Sequence, residues 1–380
     1  MKINWVAPHF YPETGGVETH VKQISNQLIE RGHEVLVHTS AQTVNKKTLH
    51  PTGELGDIKI KRYEPSLNRG FYLCLWKPDI REGDLVAMEG YPSLTNDYVR
   101  RKYSTDFPLV IYAQGVVLPV TGFAALAKRI YDATSGVKTL KKANRIIAMT
   151  ELEKNWCREK GIDIKKISII PNGVFDEAFN KYDTQIAKEK YGLDDYMLFI
   201  GRMYHEKSPT HLVRALASLH DDFKELGVIF IGPDQGEAAK VKAVSKELGL
   251  EKRVVYAGQV SEKEKYELLA GCKFFALPSQ HESQGIVFVE AWAQKKAVIG
   301  TKVGGVPYII EDGETGLLYN HGDLESLTKH IKFFLENPDR AKAIGEKGFE
   351  IASREWRWKN VIDRIEKLYN ECVAEFKKKA

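Results

Sequence analysis

The chain has 380 residues, 43% of them hydrophobic and 28% charged, with a formal net charge of +5. That length exceeds what one hydrophobic core usually supports and predicts two domains. No apolar run approaches the ~18 residues of a membrane-spanning helix, and four scattered cysteines with no CxxC spacing argue against a disulfide framework or zinc site.

The N-terminal MKINWVAPHF is too short an apolar stretch, broken by Pro8, to serve as a signal peptide, so a cytoplasmic location is expected. Residues 3–7 (INWVA) predict a strand, followed by the loop PHFYPETGG. A helical pattern begins near Val17, with Val21, Ile24, Leu28 and Ile29 on one side, and stops at Gly32. EVLVHT at 34–39 predicts the next strand, which makes a βαβ unit and hence a parallel sheet. Further strands are predicted at 84–88, 108–113, 145–149 and 167–170. The turn PNGV at 171–174 then opens a polar stretch, to about Gly192, that reads as a linker and short helix.

The alternation restarts with strands at 196–200, 227–231, 253–257, 273–277 and 297–300, and helical patterns such as 208–219 and 261–270. Two such series predict an α/β chain of two doubly wound, Rossmann-like domains, 1–175 and 190–355, with ligands held in a cleft between them. The segment 358–380 predicts an amphipathic helix that packs back on the first domain.

The charge is uneven. Residues 1–175 hold 25 Lys and Arg against 18 Asp and Glu, and the span 98–145, with nine basic and two acidic residues, accounts for the excess. This patch is either a solvated face or the mark of an anionic partner, a phospholipid surface or a phosphorylated acceptor. The adjoining GVVLPVTGFAALAKRI at 115–130 reads equally as a core helix or as an interfacial stretch beside Lys128 and Arg129.

Chemistry concentrates in the second half. GRMYHEK places Gly201, Arg202 and Lys207 in the loop after one strand, just before a helix, where a guanidinium fork and an ammonium suit a diphosphate. In LPSQHESQGIVFVEAWA, Glu282 and Glu290 stand seven residues apart around Gly285. A carboxylate at such a strand–helix junction can accept sugar hydroxyls, and one further into the helix a ribose diol. Glu290, set among Phe288, Val289, Ala291 and Trp292, requires a partner.

ESQGIVFVEA resembles the E-x7-E motif of family-4 retaining glycosyltransferases, which have the two-domain GT-B fold. The resemblance extends along most of the chain. Pro8, Pro12, Gly15, Gly16 and Glu18 match an N-terminal P-x3-P-x2-GG-x-E loop, PNGV the interdomain crossing, GRMYHEK the G-R-x4-K motif, and residues 303–319 the closing Gly-rich loop.

The resemblance implies a metal-independent hexosyl transfer from a nucleotide diphosphate sugar, with no cofactor, to a carbohydrate or lipid-linked acceptor. Nucleic acid is not an expected partner; an anionic membrane surface, at the inner face, is. Arg202 and Lys207 would hold the diphosphate, Glu282 the transferred sugar and Glu290 the ribose. Gly15, Gly16, Val260, Ser283, Gly285, Ile286 and Val287 would complete the donor site, with Gln114, Lys128 and Arg129 on the acceptor side. No D-x-D pair is present to ligate a divalent metal.

The chain departs from the family at Gln114, often His; at Ser208, usually Gly; and at Gln284, commonly aromatic. His281 is expected near the donor without titrating. A sugar-nucleotide epimerase or a phosphorylase is the alternative on the same fold. A dehydrogenase is excluded because no strand is followed by G-x-G-x-x-G.

Overall fold

The computed structural model describes residues 1–13, 15–68, 74–117, 122–219 and 222–379. The chain divides into two compact units, Met1–Asn172 with Val361–Ala380, and Gly173–Asn360. The polar stretch after PNGV thus belongs to the second unit, where it forms a 3-10 turn at Asp176–Phe179 and a short helix.

In the first unit the strands are β1 (Lys2–Val6), β2 (Glu34–Ser40), β3 (Thr52–Leu55), β4 (Ile58–Tyr63), a small ladder of β5 (Leu67–Asn68) and β6 (Cys74–Leu75), β7 (Leu85–Glu89), β8 (Leu109–Tyr112), β9 (Arg145–Ala148) and β10 (Ile167–Ile169). The main sheet runs β10-β9-β8-β7-β1-β2-β4-β3, parallel except for the antiparallel β3–β4 hairpin. Neither strand of that hairpin is among those predicted from the sequence: Thr52–Leu55, at the sheet edge, carries no apolar alternation, whereas IKIKRY in β4 does, with Ile58 and Ile60 buried. The helices are α1 (Gly16–Glu30), α2 (Leu94–Tyr103), α3 (Gly122–Tyr131), α4 (Val137–Lys142) and α5 (Glu151–Glu159). Helix α1 forms because Val21, Ile24 and Leu28 recur at helical spacing and are buried, and it stops before Gly32 at φ +83°.

The second unit contains α6 (Ile186–Tyr191), β11 (Tyr196–Ile200), α7 (Thr210–Ser218), β12 (Gly227–Ile231), α8 (Ala238–Glu247), β13 (Val254–Gly258), α9 (Glu262–Gly271), β14 (Phe274–Leu277), α10 (Ile286–Ala293), β15 (Val298–Thr301), β16 (Leu317–Tyr319), α11 (Leu324–Glu336) and α12 (Pro338–Ile351). Its sheet is parallel throughout, in the order β13-β12-β11-β14-β15-β16. YMLFI and GVIFI are buried at every position, as strands covered on both faces must be.

The last helix, α13 (Trp358–Lys377), contributes its residues from Val361 onward to the first unit. Val361, Ile362, Ile365 and Leu368 are buried, and Tyr369 bonds Tyr112 hydroxyl to hydroxyl at 2.8 Å. Arg31 also reaches Glu366 of this helix, at 3.0 Å.

Strand order decides where chemistry can sit. From β11 the chain builds outward through β12 and β13, then returns to lay β14 on the other side of β11. Neighbours β11 and β14 therefore mark the point where the winding reverses, and loops leaving their carboxyl ends diverge around a crevice.

Candidate active site

Three loops at the carboxyl edge of the second sheet are tied together. After β11 the chain turns through a 3-10 segment, His205–Lys207, and Glu206 O accepts from Gln280 N, in the loop after β14, at 2.6 Å. Glu282 O accepts from Gly305 N, in the loop after β15, at 2.9 Å. Gly304 has φ +52°, and a Cβ there would lie 2.0 Å from Glu282 O, so only glycine permits that approach.

Within this frame Lys207 Nζ lies 2.5 Å from Glu282 Oε2, with side chains 17% and 15% exposed. Ser279 Oγ stands 3.4 Å from the same carboxylate oxygen and Thr301 holds Ser279 in turn, donating to its carbonyl at 2.6 Å. Arg202 behaves differently: it is exposed and, among the described residues, makes no ion pair and a single side-chain hydrogen bond, to Gln235 at 3.5 Å. One cation is thus docked on a carboxylate and the other is free to meet an anion.

Glu282 leads into α10, whose N-cap is Gly285 at φ +68° with no side-chain cap. The first amides of that helix, including those of Ile286 and Val287, have no intrahelical acceptor and carry the positive end of the helix dipole. Ser283 is exposed beside them and Gln284 is buried; His281 is half-buried, and its buried Nε2 has no hydrogen bond among the described residues.

Further along α10, Glu290 meets Lys265 of α9 at 2.8 Å, the two side chains 14% and 13% exposed, and Tyr266 at 3.4 Å. Burial of the Lys265 ammonium alone would lower its pKa, but Glu290 and its other partners outweigh that and raise it, so the ammonium keeps its charge. Val260 is half-buried in the loop entering α9. Sequence reasoning required a partner for Glu290 but did not name Lys265; the Lys at 25 residues' remove carries no local signal.

In the first unit, Gly15 is the extended N-cap of α1, and Gly16, its first residue, faces open space where a Cβ would stand. The side-chain amide of Gln114, just beyond β8, lies 3.0 Å from His20 Nδ1. His20 in turn is 3.3 Å from Glu89, a fully buried carboxylate at the end of β7. The His20–Glu89 pair was not foreseen. Lys128 is paired with Asp132 at 3.2 Å and lies over the rings of Tyr91 and Trp156. Arg129 is exposed, as are Leu126 (54%) and Ile130 (56%) on the same helix. Of the apolar stretch 115–130, residues 118–121 lie outside the described residues. No helix among the described residues is long and apolar enough to cross a membrane.

Two parallel, doubly wound units, with paired carboxylates and cations at the carboxyl ends of the second, match a glycosyltransferase of the GT-B fold. The family model Glycosyltransferase Family 4 matches residues 14–177 and the model Glycosyl transferases group 1 matches residues 182–351. The chain belongs to glycosyltransferase family 4. It is 29% identical to the D-inositol 3-phosphate glycosyltransferase of Corynebacterium glutamicum (98% of this chain, 97% of that protein). It is 22% identical to the N-acetyl-alpha-D-glucosaminyl L-malate synthase of Bacillus anthracis (97% of each). Anabaena Alr3699/HepE in complex with UDP shares the fold at TM-score 0.76 and 20% identity, over 98% of this chain and all of that one.

Proposed function

We propose that this glycosyltransferase moves a hexose from a nucleoside diphosphate sugar to its acceptor with retention at the anomeric carbon and without a bound metal. The observation that carries this reading is the half-buried Lys207–Glu282 pair at the β11/β14 reversal, with exposed Arg202 on the same edge.

In this reading Lys207 and Arg202 take the diphosphate and neutralise it as the sugar–phosphate bond breaks, the task a divalent ion performs elsewhere. Glu282 accepts hydroxyls of the transferred sugar, and Glu290, held by Lys265, those of the ribose. The amides of Gly285, Ile286 and Val287 meet anionic or hydroxyl oxygen at the helix N-terminus. Val260 and Ser283 line the donor. The Gln114 amide does not titrate near neutral pH, so its role is to orient the acceptor and not to act as a base.

On the acceptor side, the relative named for an inositol phosphate supports an anionic, carbohydrate or lipid-linked acceptor. Exposed Leu126, Arg129 and Ile130, with Lys138, Lys141 and Lys142 nearby in sequence, support transient contact with an anionic membrane surface. Co-sedimentation with anionic but not zwitterionic vesicles is expected; equal recovery with both would remove the membrane from the proposal.

The donor reading is tested by thermal unfolding with UDP, GDP and ADP in EDTA. One of them at ~100 times its Kd should stabilise by about 2.7 kcal/mol. No shift with any of the three, or a shift that needs a divalent ion, would overturn it. Product NMR then separates the alternatives: a glycoside of the donor's own anomeric configuration supports transfer with retention. An inverted glycoside refutes retention, an epimerised donor supports an epimerase, and a sugar phosphate supports a phosphorylase.

A further inference from the structure

Lys207 is followed by a residue in an unfavourable conformation. Ser208 has φ +46° and ψ +47°, the left-handed region that side chains disfavour. Its successor, Pro209, pushes the preceding residue toward extended backbone. Two local preferences therefore oppose the turn that joins the His205–Lys207 segment to α7 and aims the Lys207 side chain.

What opposes them is a contact from 113 residues away. Ser208 Oγ lies 2.9 Å from Nε2 of His321, in the turn between β16 and α11, and 3.3 Å from His205 O. One proton arrangement satisfies all three groups: His321 donates to Oγ, and the hydroxyl donates to the His205 carbonyl. The His321 ring is fixed in turn against the ring of His211, their centroids 5.2 Å apart, and His211 N donates to Ser208 O at 3.0 Å. Burial lowers the pKa of both imidazoles, favouring neutral rings with a single N–H to place.

We propose that His321 is a positioning residue: through Ser208 Oγ it latches the left-handed turn that aims Lys207 at the donor diphosphate. The consequence for Lys207 rests on the donor reading above; the latch itself does not. Loss of the latch lets the turn relax, and binding weakens in proportion to the fraction of chains that keep the competent turn. A left-handed, non-glycine residue is disfavoured by roughly five- to thirtyfold, which bounds the effect.

A cycle of His321→Ala, Ser208→Gly and the double variant tests this. The probe is whichever of UDP, GDP and ADP stabilises the unmodified protein most, its Kd measured by calorimetry. His321→Ala should weaken binding about five- to thirtyfold, and His321→Gln, which keeps an N–H donor, by less. Glycine adopts the turn unaided, so Ser208→Gly should bind within about twofold of the parent and the double variant should recover nearly all the loss. A His321 that merely packs against its neighbours would give the same loss in both backgrounds, and that outcome overturns the latch. If no nucleotide binds even the parent, the donor reading fails instead. The same cycle read by unfolding midpoint still decides the latch: His321→Ala must lower the midpoint more with Ser208 present than in the Ser208→Gly background.

Discussion

Replacing Lys207 by methionine separates what the Lys207–Glu282 pair does for the fold from what it does for the reaction. The side chains are 17% and 15% exposed, and without the ammonium the Glu282 carboxylate retains, among the described residues, only the Ser279 hydroxyl, at 3.4 Å. A mostly buried carboxylate left so poorly partnered costs about 1–3 kcal/mol. At about 2–4 °C per kcal/mol for a unit of this size, the unfolding midpoint should fall by several degrees. Adding Glu282→Gln removes the stranded charge and should restore most of that loss, because residues in contact do not contribute additively. Turnover should follow neither trend. A fixed charge facing a developing diphosphate is worth about 3–4 kcal/mol at the barrier, so Lys207→Met should lower kcat by about 10²–10³-fold. The double variant should remain as slow. Calorimetry on the free proteins and release of nucleoside diphosphate under saturating donor give the two readouts. Turnover of Lys207→Met within about tenfold of the parent, or its recovery on adding Glu282→Gln, would refute the diphosphate role.

Arg202 is exposed and its one side-chain hydrogen bond among the described residues is to Gln235, so Arg202→Ala should leave stability unchanged within about 0.5 kcal/mol while kcat/KM falls about 10²-fold; paired unfolding and kinetic measurements check it. Gly304→Ala should destabilise by about 2–3 kcal/mol, since the new Cβ meets Glu282 O at 2.0 Å and φ is +52°; a midpoint shift without ligand measures it. Glu153, almost fully buried in the first unit, has its pKa pushed up to about 7 by burial first, with Glu89 adding to it and the Met149 amide opposing. A raised carboxyl pKa means the folded chain holds a proton that the unfolded chain has lost, so this group's contribution to stability declines as pH rises from about 4.5 to about 7 and stays absent above. Glu153→Gln should therefore stabilise by about 3 kcal/mol at pH 8 relative to its effect at pH 4, and denaturant titrations at the two pH values should show that difference.

Much of the scaffold was legible because buried parallel strands must be apolar throughout. YMLFI and GVIFI were read at their observed bounds, and most other strands of the parallel sheets within one or two residues. The loops that carry charge were legible too, since Arg202, Lys207, Glu282 and Gly285 follow strands and precede helices in the text itself. The same reading demanded a partner for Glu290 from its apolar neighbours alone. Within the β3–β4 hairpin, Thr52–Leu55 has no apolar face to betray it, whereas the alternation of IKIKRY, with Ile58 and Ile60 buried, does mark β4.

Tertiary structure alone decided which distant residues meet. Lys207 finds Glu282 because β14 is laid beside β11, Glu290 finds Lys265 because α9 and α10 bring them together, and Ser208 finds His321 across 113 residues. Periodicity records which way each side chain faces within its own element. It does not record strand order, and strand order sets the distances between charges on which binding depends.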